Sequence, residues 1–191
     1  MIKKHVNTST LSQKQPFQSF PDMAIVSRAI DAAAALFSLI MAVSEPLFDA
    51  QVVLPSGLFP APLVRIHRRF AAESGHYLVT DPPPFFRGLV WLALAFLWPV
   101  SVANLYGILA RRRWAAATSL MAGVYMLTYL ACAVFGEMIG SGRATPKLLL
   151  LYTVFLMFTV ALLVRGLRPS LELAAPVSSP VASSSDHKKR L

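Results

Sequence analysis

Residues 32–43 read Ala-Ala-Ala-Ala-Leu-Phe-Ser-Leu-Ile-Met-Ala-Val, twelve positions without a charge. With its flanks the run extends over roughly residues 30–48, enough helix to cross a hydrocarbon core of about 30 Å. Three further apolar runs follow, at roughly 85–110, 114–139 and 147–164. Four spans and their connections nearly exhaust 191 residues, so no separate soluble domain fits beside them. The composition agrees, with 55% hydrophobic and only 14% charged residues. Charges this few and this segregated belong to a membrane protein rather than to a mixed aqueous surface. The expected fold is therefore an all-α membrane protein, a bundle of four transmembrane helices. Residues 23–168 form the membrane domain, and residues 1–22 and 169–191 are polar tails whose composition favours disorder.

The net charge of +9 does not call for nucleic acid, because the Lys and Arg residues cluster at the ends of the apolar runs. Such clusters set topology and meet lipid headgroups. Twelve of the eighteen fall on the side of the two termini, against six on the other side (Arg65, Arg68, Arg69, Arg87, Arg143 and Lys147). The excess puts both termini in the cytosol and the long connection between the first two spans in the lumen. Residues 1–22 are basic and rich in hydroxyl groups, as mitochondrial presequences are, but they hold no arginine, and the first apolar run starts too late for a cleaved secretory signal. The single cysteine, Cys132, excludes an intrachain disulfide and a cysteine metal site.

Inside this frame the connections carry local signals. Leu63 to Phe70 mixes apolar residues with Arg65, His67, Arg68 and Arg69, the pattern of a short helix at the membrane interface. Asp81-Pro82-Pro83-Pro84 forbids helix and predicts an extended entry to the second span. Pro99 lies within that span and predicts a kink. Small residues one turn apart on the third span, Ser119 with Gly123 and Gly136 with Gly140, permit close helix approach. They serve a homodimer through the third helix or packing within one subunit.

Ionisable groups in or beside spans are costly in hydrocarbon and so become functional candidates. Asp31 stands three residues after Arg28, a helical spacing at which the two pair, and reads as structural. Glu45 and Asp49 are four residues apart, so they share a face if the helix continues past Pro46. Such a pair either holds a cation or shares a proton; ordinary interfacial solvation is the plain alternative. The aromatic residues Trp98, Tyr106, Tyr125, Tyr129, Tyr152 and Phe155, with Thr128 as a further hydroxyl, are candidates to line an apolar cavity with sparse polar anchors. Each taken singly is better explained by helix packing or by anchoring at the interface than by ligand contact. No phosphate loop, His-Glu-x-x-His pair or nucleophile elbow occurs. All four histidines (His5, His67, His76, His187) lie outside the spans, which predicts that no histidine acts within the bilayer.

Two stretches exceed a generic membrane pattern: Leu47-Phe48-Asp49-Ala50-Gln51-Val52-Val53-Leu54-Pro55 and Asp81-Pro82-Pro83-Pro84-Phe85-Phe86-Arg87. At their mutual spacing, and together with Pro99, Tyr106, Trp114 and Tyr152, they resemble the sigma-2 receptor branch of the emopamil-binding-protein-like (EXPERA domain) family. The resemblance covers roughly residues 32–168. It implies a four-helix fold of the endoplasmic reticulum membrane enclosing a pocket for sterols or cationic amphiphilic drugs, acting in cholesterol homeostasis or trafficking without a cofactor. It also implies that Asp49 faces the ligand amine, with Gln51 in the same motif. Where that branch has a second acid this chain has His76, and Glu73 substitutes for it only if the loop shifts. Ala93 and Leu97 stand where the family carries Glu and Gln, so the network around the ligand acid is thinner. Tyr152 or Phe155 would add cation–π attraction. In the same light Lys188 and Lys189, fourth and third from the C-terminus, look like a dilysine retrieval signal, or else form part of a solvated basic tail. The same resemblance raises an alternative activity, sterol Δ8-Δ7 isomerisation. That reaction needs an acid and a base at the buried rings, and the absence of histidine from the spans argues for a binder instead.

Overall fold

A computed structural model describes residues 21–174, with side chains described from residue 25 to residue 168. The N-terminal segment 1–20 and the C-terminal segment 175–191, including Lys188 and Lys189, lie outside the described residues. Among the described residues every regular element is helical, and four stretches are long and apolar enough to cross a membrane: Ile25–Val52, Pro84–Leu109, Ala115–Ile139 and Pro146–Arg168. The chain is an all-α, four-span membrane protein, which leaves both ends of the bundle's chain on one side.

Helix α1 (Pro21–Leu47) carries the first span and starts before the boundary that hydropathy set at residue 23. It continues through Pro46, whose missing N–H would have bonded the carbonyl of Ala42. The indole N–H of Trp98 donates to that carbonyl instead, at 3.1 Å. A 3-10 turn, Asp49–Val52, ends the span, and the Gln51 amide donates to the carbonyl of Leu47 at 2.6 Å. The connection then folds as the amphipathic α2 (Ala61–Ser74), the helix its sequence predicts. Gly75 closes α2 in the left-handed region, with φ 68°, and its N–H bonds the carbonyls of Ala71 and Ala72. One short turn, α3 (Tyr77–Thr80), leads to the extended Pro83.

The second span joins α4 (Pro84–Leu92) to α5 (Trp98–Leu109) through a π-helical stretch, Ala93–Leu97. Pro99 cannot donate into the preceding turn, so the expected irregularity is accommodated as a widened turn rather than a simple kink. The Tyr125 hydroxyl, from the third span, donates to the Leu89 carbonyl beside this junction at 2.7 Å. The third span is α6 (Ala115–Leu130) followed by a second π-helical stretch, Ala131–Ile139. The fourth is α7 (Pro146–Ala174), which outruns the boundary at residue 168.

The helices close a ring in which α1 packs on α5 and α7, and α6 on α5 and α7. Small residues permit the close approaches. A β-carbon at Gly166 would stand 2.6 Å from Cβ of Leu120 and 2.8 Å from its backbone. One at Gly123 would meet the Leu163 side chain at 3.0 Å. Ser119 is fully buried as well. The Ser119 and Gly123 pair is thus spent on packing inside the subunit, not on a dimer, whereas Gly136 and Gly140 remain exposed. Large apolar side chains such as Leu36, Val43, Leu150 and Met157 face outward, as they do in a bundle solvated by lipid.

A polar network ties all four spans together at the end of the bundle that bears the chain termini. Arg165 on α7 donates to Asp31 on α1 at 2.9 Å, and to the Ala115 carbonyl and the Ser119 hydroxyl on α6 at 2.7 and 2.9 Å. Ser119 and Thr118 both donate to Asn104 Oδ1 on α5 at 2.8 Å, and the Asn104 amide donates to Ser38 on α1 at 2.9 Å. Asp31 therefore pairs with Arg165, 134 residues away, and not with Arg28 as spacing suggested. A fixed guanidinium fork held by three helices offers more than a flexible neighbour on the same exposed face.

Candidate functional site

At the opposite end the bundle is hollow. A cavity of about 340 Å³ opens among the ends of the four spans and α2, at the small end of the range for sites that hold drug-sized molecules. Its walls are mainly apolar: Met41 and Phe48 from the first span, Phe86 and Leu97 from the second, Met126 from the third, Phe155 from the fourth.

The polar groups are few. Helix α1 continues through Pro46 to Leu47 and a 3-10 turn carries the chain on from Asp49, so Glu45 and Asp49 both line the cavity. Glu45 is only 4% exposed and its Oε2 has no hydrogen-bond partner; the Ser44 hydroxyl is likewise buried and unpartnered. Neither Lys nor Arg is among the lining residues. A pair of carboxylates enclosed without a cation is an uncompensated demand for one.

His76 supplies the second polar feature. Gly75 turns the chain back beneath α2, and the backbone N–H of His76 bonds the Ala71 carbonyl at 2.9 Å. The side chain is thereby sent inward, where it is 4% exposed and lines the cavity. Its Nε2 is hydrogen bonded to the Tyr152 hydroxyl at 2.7 Å, the two rings meet edge-on, and Nδ1 is left without a partner. Burial, with a smaller contribution from His67, pushes the imidazole down to about 4, so it is neutral at physiological pH. His67 on α2 also lines the cavity, against Phe48, and is lowered by burial and by the neighbouring Arg68. Two histidines thus line the cavity although no span contains one. Both residues lie outside the spans in sequence, yet the fold-back of α2 delivers them to the same cavity as the carboxylates.

Of the residues singled out in the sequence, Glu45, Asp49, Tyr125, Tyr129, Tyr152 and Phe155 converge on this cavity. The others do not. Gln51 caps α1, and Trp98 serves the carbonyl that Pro46 frees. Glu73 is engaged in an exposed ion pair with Arg69 at 2.6 Å, one turn away on the outer face of α2. Tyr106 is 55% exposed and stacks on Trp114 near the other end of the bundle. Thr128 returns its hydroxyl to the Val124 carbonyl at 3.0 Å on the exposed side of α6. Residues that were not among the candidate site residues of the sequence, notably His76, His67, Phe48 and Phe86, complete the wall. For His76 the available signal was the glycine before it, which permits the reversal that a buried polar side chain needs.

Among the described residues no group of three or more His, Cys, Asp and Glu side chains is placed to hold a metal ion. No family model, no curated protein and no solved structure matches the chain. The chemistry of the cavity therefore rests on its own geometry. It can enclose an apolar body and present two carboxylates to a cation or hydroxyl at one place on its wall.

Proposed function

We propose that the chain is an EXPERA-family protein of the endoplasmic reticulum membrane, with its termini in the cytosol. In this reading the intramembrane cavity binds a sterol or a cationic amphiphile and serves cholesterol homeostasis or trafficking. The observation that carries the reading is the pair Glu45 and Asp49, enclosed by mainly apolar and aromatic walls with neither Lys nor Arg among them. A protonated amine satisfies that pair by charge and hydrogen bond in a medium where both are strong, and the ring of Tyr152 or Phe155 adds cation–π attraction. A sterol hydroxyl satisfies it by hydrogen bonding alone.

The test is binding of radiolabelled cholesterol and of a cationic sigma ligand to purified protein. Asp49→Asn and Glu45→Gln should each weaken the amine at least tenfold, whereas Glu73→Gln, on the outer face of α2, should leave it unchanged. Failure of both ligands to bind folded wild-type protein would sink the reading. A second reading, sterol Δ8-Δ7 isomerisation, gains support from His76, because a carboxyl group and an imidazole line one cavity. One group would deliver a proton to an alkene carbon while the other removes a proton from the neighbouring allylic carbon, moving the double bond by one position. Conversion of a Δ8 sterol in deuterated water, with one deuterium retained in the product, is the measurement that supports it.

A further inference from the structure

Three buried polar atoms on the cavity wall have no partner: the Ser44 hydroxyl, Glu45 Oε2 and His76 Nδ1. Glu45 and His76 are each 96% buried, so neither atom is served by bulk solvent. An unpaired buried polar group is costly, and a cluster of them around one space describes what the occupant of that space must offer. An ammonium carries at most three N–H donors, and the two carboxylates of Glu45 and Asp49 already present four acceptor oxygens to it. A simple amine is used up by that demand and leaves the imidazole unanswered. A sterol with one hydroxyl and no amine answers a single group and leaves the carboxylates enclosed without a cation. A hydroxyl both donates and accepts, so it suits His76 Nδ1 whichever nitrogen the bond to Tyr152 leaves protonated.

We infer that the ligand of this cavity is an amphiphile bearing both an ammonium and a hydroxyl, with the ammonium held by Glu45 and Asp49 and the hydroxyl by His76 Nδ1. The inference rests on the amine site proposed above and narrows it to amino alcohols. His76 is the residue that separates them from plain amines. Two kinds of lipid carry this chemistry, a long-chain base with a flexible tail and a hydroxylated steroid with a basic side chain.

The experiment compares matched pairs on purified protein in phosphatidylcholine vesicles. Sphinganine is set against octadecylamine, which has the same chain length and lacks the hydroxyls. A 3β-hydroxysteroid amine is set against its 3-deoxy counterpart. In wild type, the hydroxylated member of at least one pair should bind about tenfold tighter, the worth of one buried hydrogen bond that would otherwise be lost. Which pair shows the gain tells the flexible source from the rigid one. His76→Gln keeps a partner for the Tyr152 hydroxyl but places nothing at Nδ1, and should erase the gain while plain amine binding persists. His76→Asn, whose amide lies near the position of Nδ1, should retain most of it. Equal affinity within both pairs overturns the inference while octadecylamine binding keeps the amine site standing. A gain that survives His76→Gln overturns it too. Absence of all amine binding to folded wild type overturns both readings together.

Discussion

Acidification should destabilise this protein chiefly through His76. Buried against Tyr152 and Phe86, it is pushed down to about 4 from an ordinary value of 6.5. Between those values the unfolded chain binds a proton that the folded protein refuses, so stability rises with pH and is lost as pH falls. Above about pH 6.5 both states are neutral at this site and nothing is lost. Taking the two values as they stand, the loss between pH 7 and pH 5 comes to about 2 kcal/mol, at roughly 1.4 kcal/mol per pH unit across the window. Glu45, Asp49 and His67 face the same cavity, and His67, also lowered, acts in the same direction. The comparison that isolates His76 is therefore wild type against His76→Gln, each unfolded in detergent micelles at pH 7 and at pH 5 and followed by circular dichroism. Wild type should lose about 2 kcal/mol more than the variant over that step. Equal losses in the two proteins would refute the argument, because they would mean that His76 titrates alike folded and unfolded.

Two further outcomes concern the packing. Asn104→Leu removes three hydrogen bonds that join α1, α5 and α6; at roughly 0.6 kcal/mol for each interhelical bond in a membrane, the unfolding free energy should fall by about 2 kcal/mol. Gly166→Ala should cost about 1–3 kcal/mol, because its methyl group meets the backbone of Leu120, which cannot move without parting α6 from α7. Gly123→Ala, whose nearest neighbours are the Leu163 side chain at 3.0 Å and Cβ of Leu162 at 3.2 Å rather than backbone, should cost less. Melting temperatures of the three variants decide both points.

Hydropathy made the four spans legible because crossing a membrane constrains composition over some twenty consecutive positions. The interfacial helix α2 was legible for a similar reason, since its two faces differ in residue type. Glu45 and Asp49 could be assigned to one face from spacing alone. Azimuth was the missing quantity for the aromatic residues. Trp98 and Tyr106 are as apolar as Tyr125 and Tyr129, and only the packed ring of helices decides which of them point inward. Glu73 and His76 differ by three positions and by a reversal: the left-handed turn at Gly75 leaves the carboxylate outside, with Arg69, and carries the imidazole in. The partner of Asp31 was hidden by distance along the chain, since Arg28 is adjacent in sequence and Arg165 only in space.

Most of the hydrogen bonds between spans sit at the end of this bundle away from the empty volume. From Asp31 through Arg165, Ser119 and Asn104 to Ser38, every span is fastened to its neighbours near the chain termini. Beside the cavity span is tied to span by fewer such bonds, from Tyr125 to the Leu89 carbonyl and from Trp98 to the Ala42 carbonyl. Spreading the bundle is therefore cheap at one end and expensive at the other, as with tweezers joined at the base. A guest that enters between the tips need not loosen the joint, and its bulk can change without altering what holds the four helices together.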